Sequence, residues 1–325
     1  MSACKQVPPL VSFQAGGLQG GLHLEPFFRR KDKVVIVMGA TGTGKSKLAI
    51  DLATRLPAEI VNSDKMQVYK GLDIVTNKVT EEECRGVTHH LFGIIDPNSN
   101  FTADDFCHHA SAAIDSIVRR DRVPIIAGGS NSYIDALVNY QAEFRLRYEC
   151  RFLWVDVSLD VLHSFVSERV DRMVEAGLVN EVKKMFDPDQ SDYTQGIRRA
   201  IGVPEMDEYF RAEAMGASEK TKAKLLRTAI AKIKENTCFL ARRQLQKIHR
   251  LHSQWGWNMH RLDATEAFLK RGDDREAEEA WENLVAGPGT RIVDSFLYDE
   301  GVSSSVLAAA GGPVAMPAAV ATASR

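Results

Sequence analysis

Cysteine is scarce in this chain and never paired at short range. Cys4, Cys84, Cys107, Cys150 and Cys238 are odd in number and widely scattered. With no C-x-x-C among them, neither a zinc finger nor a disulfide framework is indicated, and a reducing interior suits small buried thiols. Long apolar runs are missing too. The nearest approach to a membrane span, Val306 to Ala323, is built of Ala, Gly and Pro. Gly311, Gly312, Pro313 and Pro317 break it, which points to a disordered tail. No acidic residue precedes Glu25, while Lys5, Arg29, Arg30 and Lys31 are present. Organelle transit peptides and plain floppy leaders share that bias. A large surplus of either charge is also lacking. The net charge of −2 argues against a surface given over wholly to nucleic acid or lipid. What is there is 325 residues, 44% of them hydrophobic, enough for a sizeable core in one large domain or two smaller ones.

The most informative stretch begins with the β-branched and apolar run Val34-Val35-Ile36-Val37-Met38. Gly39-Ala40-Thr41-Gly42-Thr43-Gly44-Lys45-Ser46 follows, and then the amphipathic Lys47 to Ala53. Strand, glycine-rich turn and helix, with the turn reading G-x-x-x-x-G-K-S, make a phosphate loop. The glycines let successive N–H groups point inward as an anion nest at the positive end of the helix. Lys45 reaches terminal phosphate oxygens, and the Ser46 hydroxyl suits a Mg²⁺ that also touches them. The loop by itself does not say whose phosphates it holds, since kinases, switches and transferases all use it.

Further along, Pro57 to Asn62 reads as a short strand running into Ser63-Asp64-Lys65-Met66-Gln67-Val68-Tyr69. In a doubly wound sheet such a strand end borders the ligand crevice, so Asp64 can face a substrate or cap a helical turn. Thr88 to Pro97 reads as another strand; His89 and His90, adjacent on it, point to opposite faces and do not share a metal. Thr102 caps a helix to Arg120, and Val123 to Ala127 is a buried strand. The glycine turn Gly128-Gly129-Ser130 after it is a second wall of the crevice. Arg151 to Val157 is a further strand. Residues 159–187 and 196–210 read as helices, and Glu219 to about His252 as one long helix. From Lys220 to Arg250 that helix carries ten Lys or Arg against one acid, Glu235, which points to an anion-facing wall. A last strand, Met259 to Asp263, precedes a helix starting at Thr265. The fold class is therefore α/β, a P-loop NTPase-like parallel sheet flanked by helices with a smaller helical insertion. The expected divisions are a flexible leader over 1–32, a core over 33–158 and 220–285, an insertion over 159–219 and a flexible tail over 286–325.

Several blocks taken together resemble the isopentenyltransferases. They are the phosphate loop, Asn62 to Tyr69 around Asp64, Thr88-His89-His90-Leu91, Gly128 to Ile134, Arg169-Val170-Asp171-Arg172-Met173, Gly196 to Gly202, and Ala241-Arg242-Arg243-Gln244-Leu245. They occur in the family's order over roughly residues 33–265, and the likeness is strongest to the plant adenylate branch. One departure stands out: the serine usual after the aspartate is Lys65. The resemblance implies transfer of the dimethylallyl group of dimethylallyl diphosphate to N6 of adenine in ATP, ADP or AMP, with release of pyrophosphate, as the first step of cytokinin synthesis. It also implies that the phosphate loop, residues Gly39 to Ser46, holds the isoprenoid diphosphate with Arg243 as a further contact. Asp64 is then the base, Thr41 the donor to the bridging oxygen, and Mg²⁺ sits on Ser46. The nucleotide's phosphates need a separate site, for which Lys220, Lys222, Lys224 and Arg227 are the candidates, with Ser130 beside the nucleotide. The alternative within the family is prenylation of adenosine in a tRNA anticodon loop. It is not favoured, because no cysteine follows Cys238 to build the zinc finger of several eukaryotic tRNA enzymes. The second glycine turn also reads G-G-S-N-S where those enzymes usually have G-G-T-G-L. A monomer, in a plastid or else the cytoplasm, is expected.

Overall fold

The computed structural model describes residues 31–298; the basic leader and the Ala-rich tail from 299 onward lie outside them. In chain order, β1 (Asp32–Met38), α1 (Lys45–Arg55), β2 (Ala58–Asn62), α2 (Glu81–Cys84), β3 (His89–His90), α3 (Ala103–Val118) and β4 (Val123–Ala127) come first. Next are α4 (Asn131–Asp135), continued by a π-helical turn, α5 (Ala142–Arg147), β5 (Tyr148–Asp156), α6 (Leu159–Glu175) and α7 (Leu178–Lys183). Two 3₁₀ turns lead to α8 (Asp207–Ala214), followed by α9 (Glu219–Trp255), β6 (Met259–Asp263), α10 (Thr265–Leu269), α11 (Asp274–Trp281) and α12 (Gly287–Tyr298). The strands form one six-stranded sheet in the order β3-β2-β4-β1-β5-β6, every neighbouring pair parallel.

The continuous apolar character of β1 follows from burial on both faces. Val34, Ile36 and Met38 join one core with α3, Tyr133 and the α7–α8 region. Val35 and Val37 face the other core, with α1, the first turns of α6, and α11–α12. The carboxyl ends of β1, β4 and β2 therefore open side by side at one edge of the sheet.

Several elements differ from the sequence-based expectation, each for a local reason. The strand expected over Thr88 to Pro97 shrinks to two residues, because Leu91 and Gly93 adopt positive φ of 57° and 63°. The helix expected over 159–187 divides at Gly177, and that over 196–210 becomes 3₁₀ turns plus α8 around Gly202 and Pro204. The insertion does not begin at 159. Leu162 and Val166 of α6 are buried in the core that packs on the phosphate loop, and the described residues from Asp32 to Tyr298 fall within one compact unit. Nor does the ordered chain stop at 285: α12 is helical, with Val293 and Phe296 buried against the sheet.

The C-terminal helices also complete the phosphate loop. Trp281 is 3% exposed, and its Nε1–H donates to Asp51 Oδ2 at 2.8 Å, while Arg85 closes on the other oxygen of that buried carboxylate. Its ring lies so close to Gly44 (φ 89°) that a Cβ there would come within 2.6 Å. Only glycine fits that position. Replacing Trp281 with alanine should cost about 3–5 kcal/mol of stability, typical of large aromatic truncations in cores. Chemical denaturation would read this, with Trp281→Phe, which keeps an aromatic ring but lacks the N–H to Asp51, losing less than Trp281→Ala.

Candidate active site

A cleft of about 1740 Å³ lies over the carboxyl ends of β1, β2 and β4 and is closed by α6 and α9. Thr41, Gly42, Gly44, Lys45 and Ser46 line it, and so do Asp64, Gly128, Gly129 and Ser130. Gly39, Ala40 and Thr43 sit beneath as the loop's frame: Ala40 O accepts from Thr43 Oγ1 at 3.0 Å and from Lys45 Nζ at 2.6 Å. Burial lowers the Lys45 ammonium to about 8, with Asp64 opposing the shift and Arg169 adding to it.

Asp64 does both things its position allowed. Its Oδ1 accepts from Met66 N at 2.8 Å and caps the following turn, while its own N–H donates to Asn62 Oδ1 at 3.1 Å. Its Oδ2 stands 3.4 Å from where a Gly129 Cβ would be, on the cleft side. Ser130 Oγ accepts from Lys65 N at 2.8 Å and so pins the segment that carries the carboxylate.

Two residues that the sequence reading did not single out organise the centre. Gln244 accepts from Thr41 N through Oε1 at 2.7 Å and donates from Nε2 to Gly129 O at 2.9 Å, joining the two glycine turns. A Cβ on Gly129 would lie 2.5 Å from that Nε2, so the contact needs glycine. Arg169, on α6, donates from Nη2 to Thr41 Oγ1 at 3.1 Å. Its Nε is buried without a protein partner, and burial, then Arg172, bring its proton affinity down to about 10. Both residues lie in sequence blocks quoted for the family resemblance. Nothing in their local pattern separates them from neighbouring Arg172 and Arg243.

Arg243 lines the cleft, its guanidinium 5.6 Å from the Phe239 ring and in no ion pair with the insertion. The cluster of Lys220, Lys222, Lys224 and Arg227 does not line it. At about 1.5 Å of rise per residue, Lys224 is roughly 30 Å along α9 from Gln244, and Lys222 is paired with Glu219 at the helix start. Those four residues, expected to hold the nucleotide's phosphates, therefore stand outside the cleft. The cleft has its own cations. Lys47, Lys78, Lys247 and Arg271 are ion-paired with Glu278, Asp73, Asp135 and Glu168. Lys65, Arg172, Arg199, Arg243 and Arg250 have no ion pair among the described residues.

For a metal, the described residues contain no group of three His, Cys, Asp or Glu side chains suited to hold one. Ser46 is exposed at the start of α1, beside Lys45 on the cleft wall. A lone hydroxyl oxygen fits a Mg²⁺ held otherwise by substrate phosphates and water, the usual arrangement for that ion.

Comparison with known proteins identifies the family. The family model described as IPP transferase matches residues 67–145 and 138–250. The adenylate isopentenyltransferase 5, chloroplastic, of Arabidopsis thaliana is 66% identical over 91% of this chain and 89% of its own length. The chain belongs to the IPP transferase family. A second Arabidopsis relative, adenylate isopentenyltransferase 7, mitochondrial, is 53% identical over 96% of each chain. The adenylate isopentenyltransferase of Humulus lupulus is 42% identical over 80% of this chain and 89% of its own. Among solved structures, a tRNA isopentenylpyrophosphate transferase from Bacillus halodurans aligns with TM-score 0.62 at 26% identity, covering 78% of this chain and 99% of that one. A eukaryotic dimethylallyltransferase acting on tRNA aligns with TM-score 0.70 at 23% identity over 82% and 80%, a likeness of fold. In this IPP transferase the phosphate loop, Asp64 and Gln244 thus share one cleft.

The depressed Lys45 makes anion capture pH-dependent. Below about 8 the ammonium is charged and attracts a diphosphate; above it the charge is lost. Affinity for inorganic pyrophosphate should weaken as pH rises through that value, by up to about tenfold per unit for one linked proton. Titration calorimetry checks this, and Lys45→Met should flatten the profile.

Proposed function

We propose that this protein transfers the dimethylallyl group of dimethylallyl diphosphate to N6 of the adenine of ATP, ADP or AMP, releasing pyrophosphate, as the first step of cytokinin synthesis. Its relatives of 66%, 53% and 42% identity are all named adenylate isopentenyltransferases. The observation that carries the reading is the pairing of Thr41 with Asp64 across one cleft, linked through Gln244 and Gly129.

The chemistry asks for two opposite things in one space. Negative charge grows on the bridging oxygen as the allylic C–O bond breaks, and a proton must leave the adenine amine as the C–N bond forms. Amides of residues 42–46 and the Lys45 ammonium meet the leaving diphosphate. Thr41 Oγ1 accepts from Arg169, so its own O–H is left to donate to the bridging oxygen. On the acceptor side, the amine's lone pair is delocalised into the purine ring and makes it a poor nucleophile. Asp64, with Oδ1 anchored by Met66 N–H, keeps Oδ2 for that proton. Such general-base help is typically worth about 10²–10⁴-fold. Mg²⁺ bound at the Ser46 hydroxyl would add charge neutralisation on the diphosphate. Arg243 extends the cationic wall beside it. Every group named comes from one chain, so a monomer suffices.

Asp64→Ala should lower transfer by about 10²-fold or more while pyrophosphate binding, read by calorimetry, persists; near-normal transfer would remove the base assignment. Acceptor identity is read by mass spectrometry with AMP, ADP, ATP and unmodified tRNA offered in parallel. Prenylated nucleotide is the expected product, and transfer to tRNA alone would overturn the reading. For location, the relatives' names divide between chloroplastic and mitochondrial. An acid-poor leader suits either organelle; the name of the 66%-identical relative favours the plastid, which a fluorescent fusion of the whole chain tests.

A further inference from the structure

Lys65 and Arg199 stand out among the cleft's cations because each is held in place, yet neither is neutralised. The backbone of Lys65 is pinned to Ser130 Oγ, and its ammonium lies 5.0 Å over the Tyr133 ring. Arg199 donates from Nε to Gly196 O at 3.1 Å and from Nη2 to the Tyr69 hydroxyl at 3.2 Å. Both therefore rest on a floor of two buried tyrosines, Tyr69 at 0% and Tyr133 at 2% exposure. That floor supplies no counter-charge: burial, and then Tyr69, push Tyr133 up to about 12, so its phenol stays neutral. Burial and then Arg199 lower the proton affinity of Lys65, and Asp64 offsets only part of this. Two like charges are thus kept near one another without an ion pair, a cost that a bound anion removes.

We propose that Lys65 and Arg199 form a phosphate subsite for the acceptor nucleotide, separate from the phosphate loop. The inference rests on the acceptor reading above and names the group within the cleft that makes a phosphorylated acceptor preferred. The loop of residues 39–46 is taken by the donor's diphosphate. The second set of anionic oxygens offered to this cleft is then the nucleotide's phosphate chain. Among the described residues Arg199 Nη1 makes no protein hydrogen bond and the Lys65 ammonium rests on the ring face alone, so both have N–H groups to spare. The position after Asp64 couples the two ends of the acceptor: its base at the carboxylate, its phosphates at the next side chain.

The test compares Lys65→Met and Arg199→Met with wild type, using kcat/KM for ATP and for adenosine at saturating donor, together with the donor KM at saturating ATP. The ratio of ATP to adenosine should fall about tenfold or more in each, in line with loss of a charge-assisted hydrogen bond. Lys65→Arg should restore most of it. The ratio is independent of how much of a variant is folded, so a purely structural loss does not move it. A ratio kept within about twofold in both methionine variants overturns the proposal, since loss of such a bond exceeds that. A change confined to the donor KM overturns it too and assigns the pair to the donor's diphosphate. If wild type prenylates neither ATP nor adenosine, the acceptor reading fails and the subsite with it. If wild type favours ATP and the variants keep that preference, only the subsite falls.

Discussion

One carboxamide holds this active site together. Gln244 takes the Thr41 N–H with its oxygen and gives an N–H to Gly129 O, so a single planar group spans the turns after β1 and β4. The side chains that would act on the leaving group and on the incoming amine follow different strands, β1 and β2, with β4 paired between them. Gln244 ties the β1 turn to the β4 turn, and Ser130 Oγ carries the link on to the Asp64 segment through Lys65 N. The glutamine's own position is secured in turn, because Asn131 Nδ2 donates to the Gln244 backbone carbonyl at 3.1 Å and neighbouring Lys247 is paired with Asp135. The long helix α9 is thereby clamped to the start of α4, and the cleft's roof moves with its floor.

Legibility in the sequence followed the range of the interactions concerned. The phosphate loop and Asp64 could be read directly, since each depends on residues within a few positions and on the strand just before it. The parallel sheet was equally open to reading, because β1, β4 and β5 are buried on both faces and show near-continuous apolar runs. Arg169 and Gln244 were hidden. Each works through one hydrogen bond to a residue far away in sequence, and neither makes a local pattern that differs from its surroundings. The basic stretch of α9 misled for a related reason. Charge density along a helix says that an anion could be met, but a helix of 37 residues is far longer than the cleft. Only the part near Arg243 faces it.

The tail expected over 286–325 contains Gly287-Pro288-Gly289, yet this triplet lies at the start of α12. Gly289 is instead a packing residue: a Cβ there would come within 3.2 Å of Leu48 and 3.4 Å of Leu262. Gly287 follows a π-helical turn over Glu282–Ala286 and its N–H donates to Glu282 O, so the helical run carries on through the triplet; Pro288 brings no N–H of its own to be satisfied. The insertion's start was misplaced as well. The apolar positions of α6 show a helical period but not which core receives them, and its first turns belong to the core that supports the loop.

Trp281 lying on Gly44 has a bearing on how the molecule comes into being. The backbone of the phosphate cradle is packed from above by Trp281, a side chain synthesised long after it. A partly made polypeptide therefore has the glycines and the lysine without the surface that keeps them in shape.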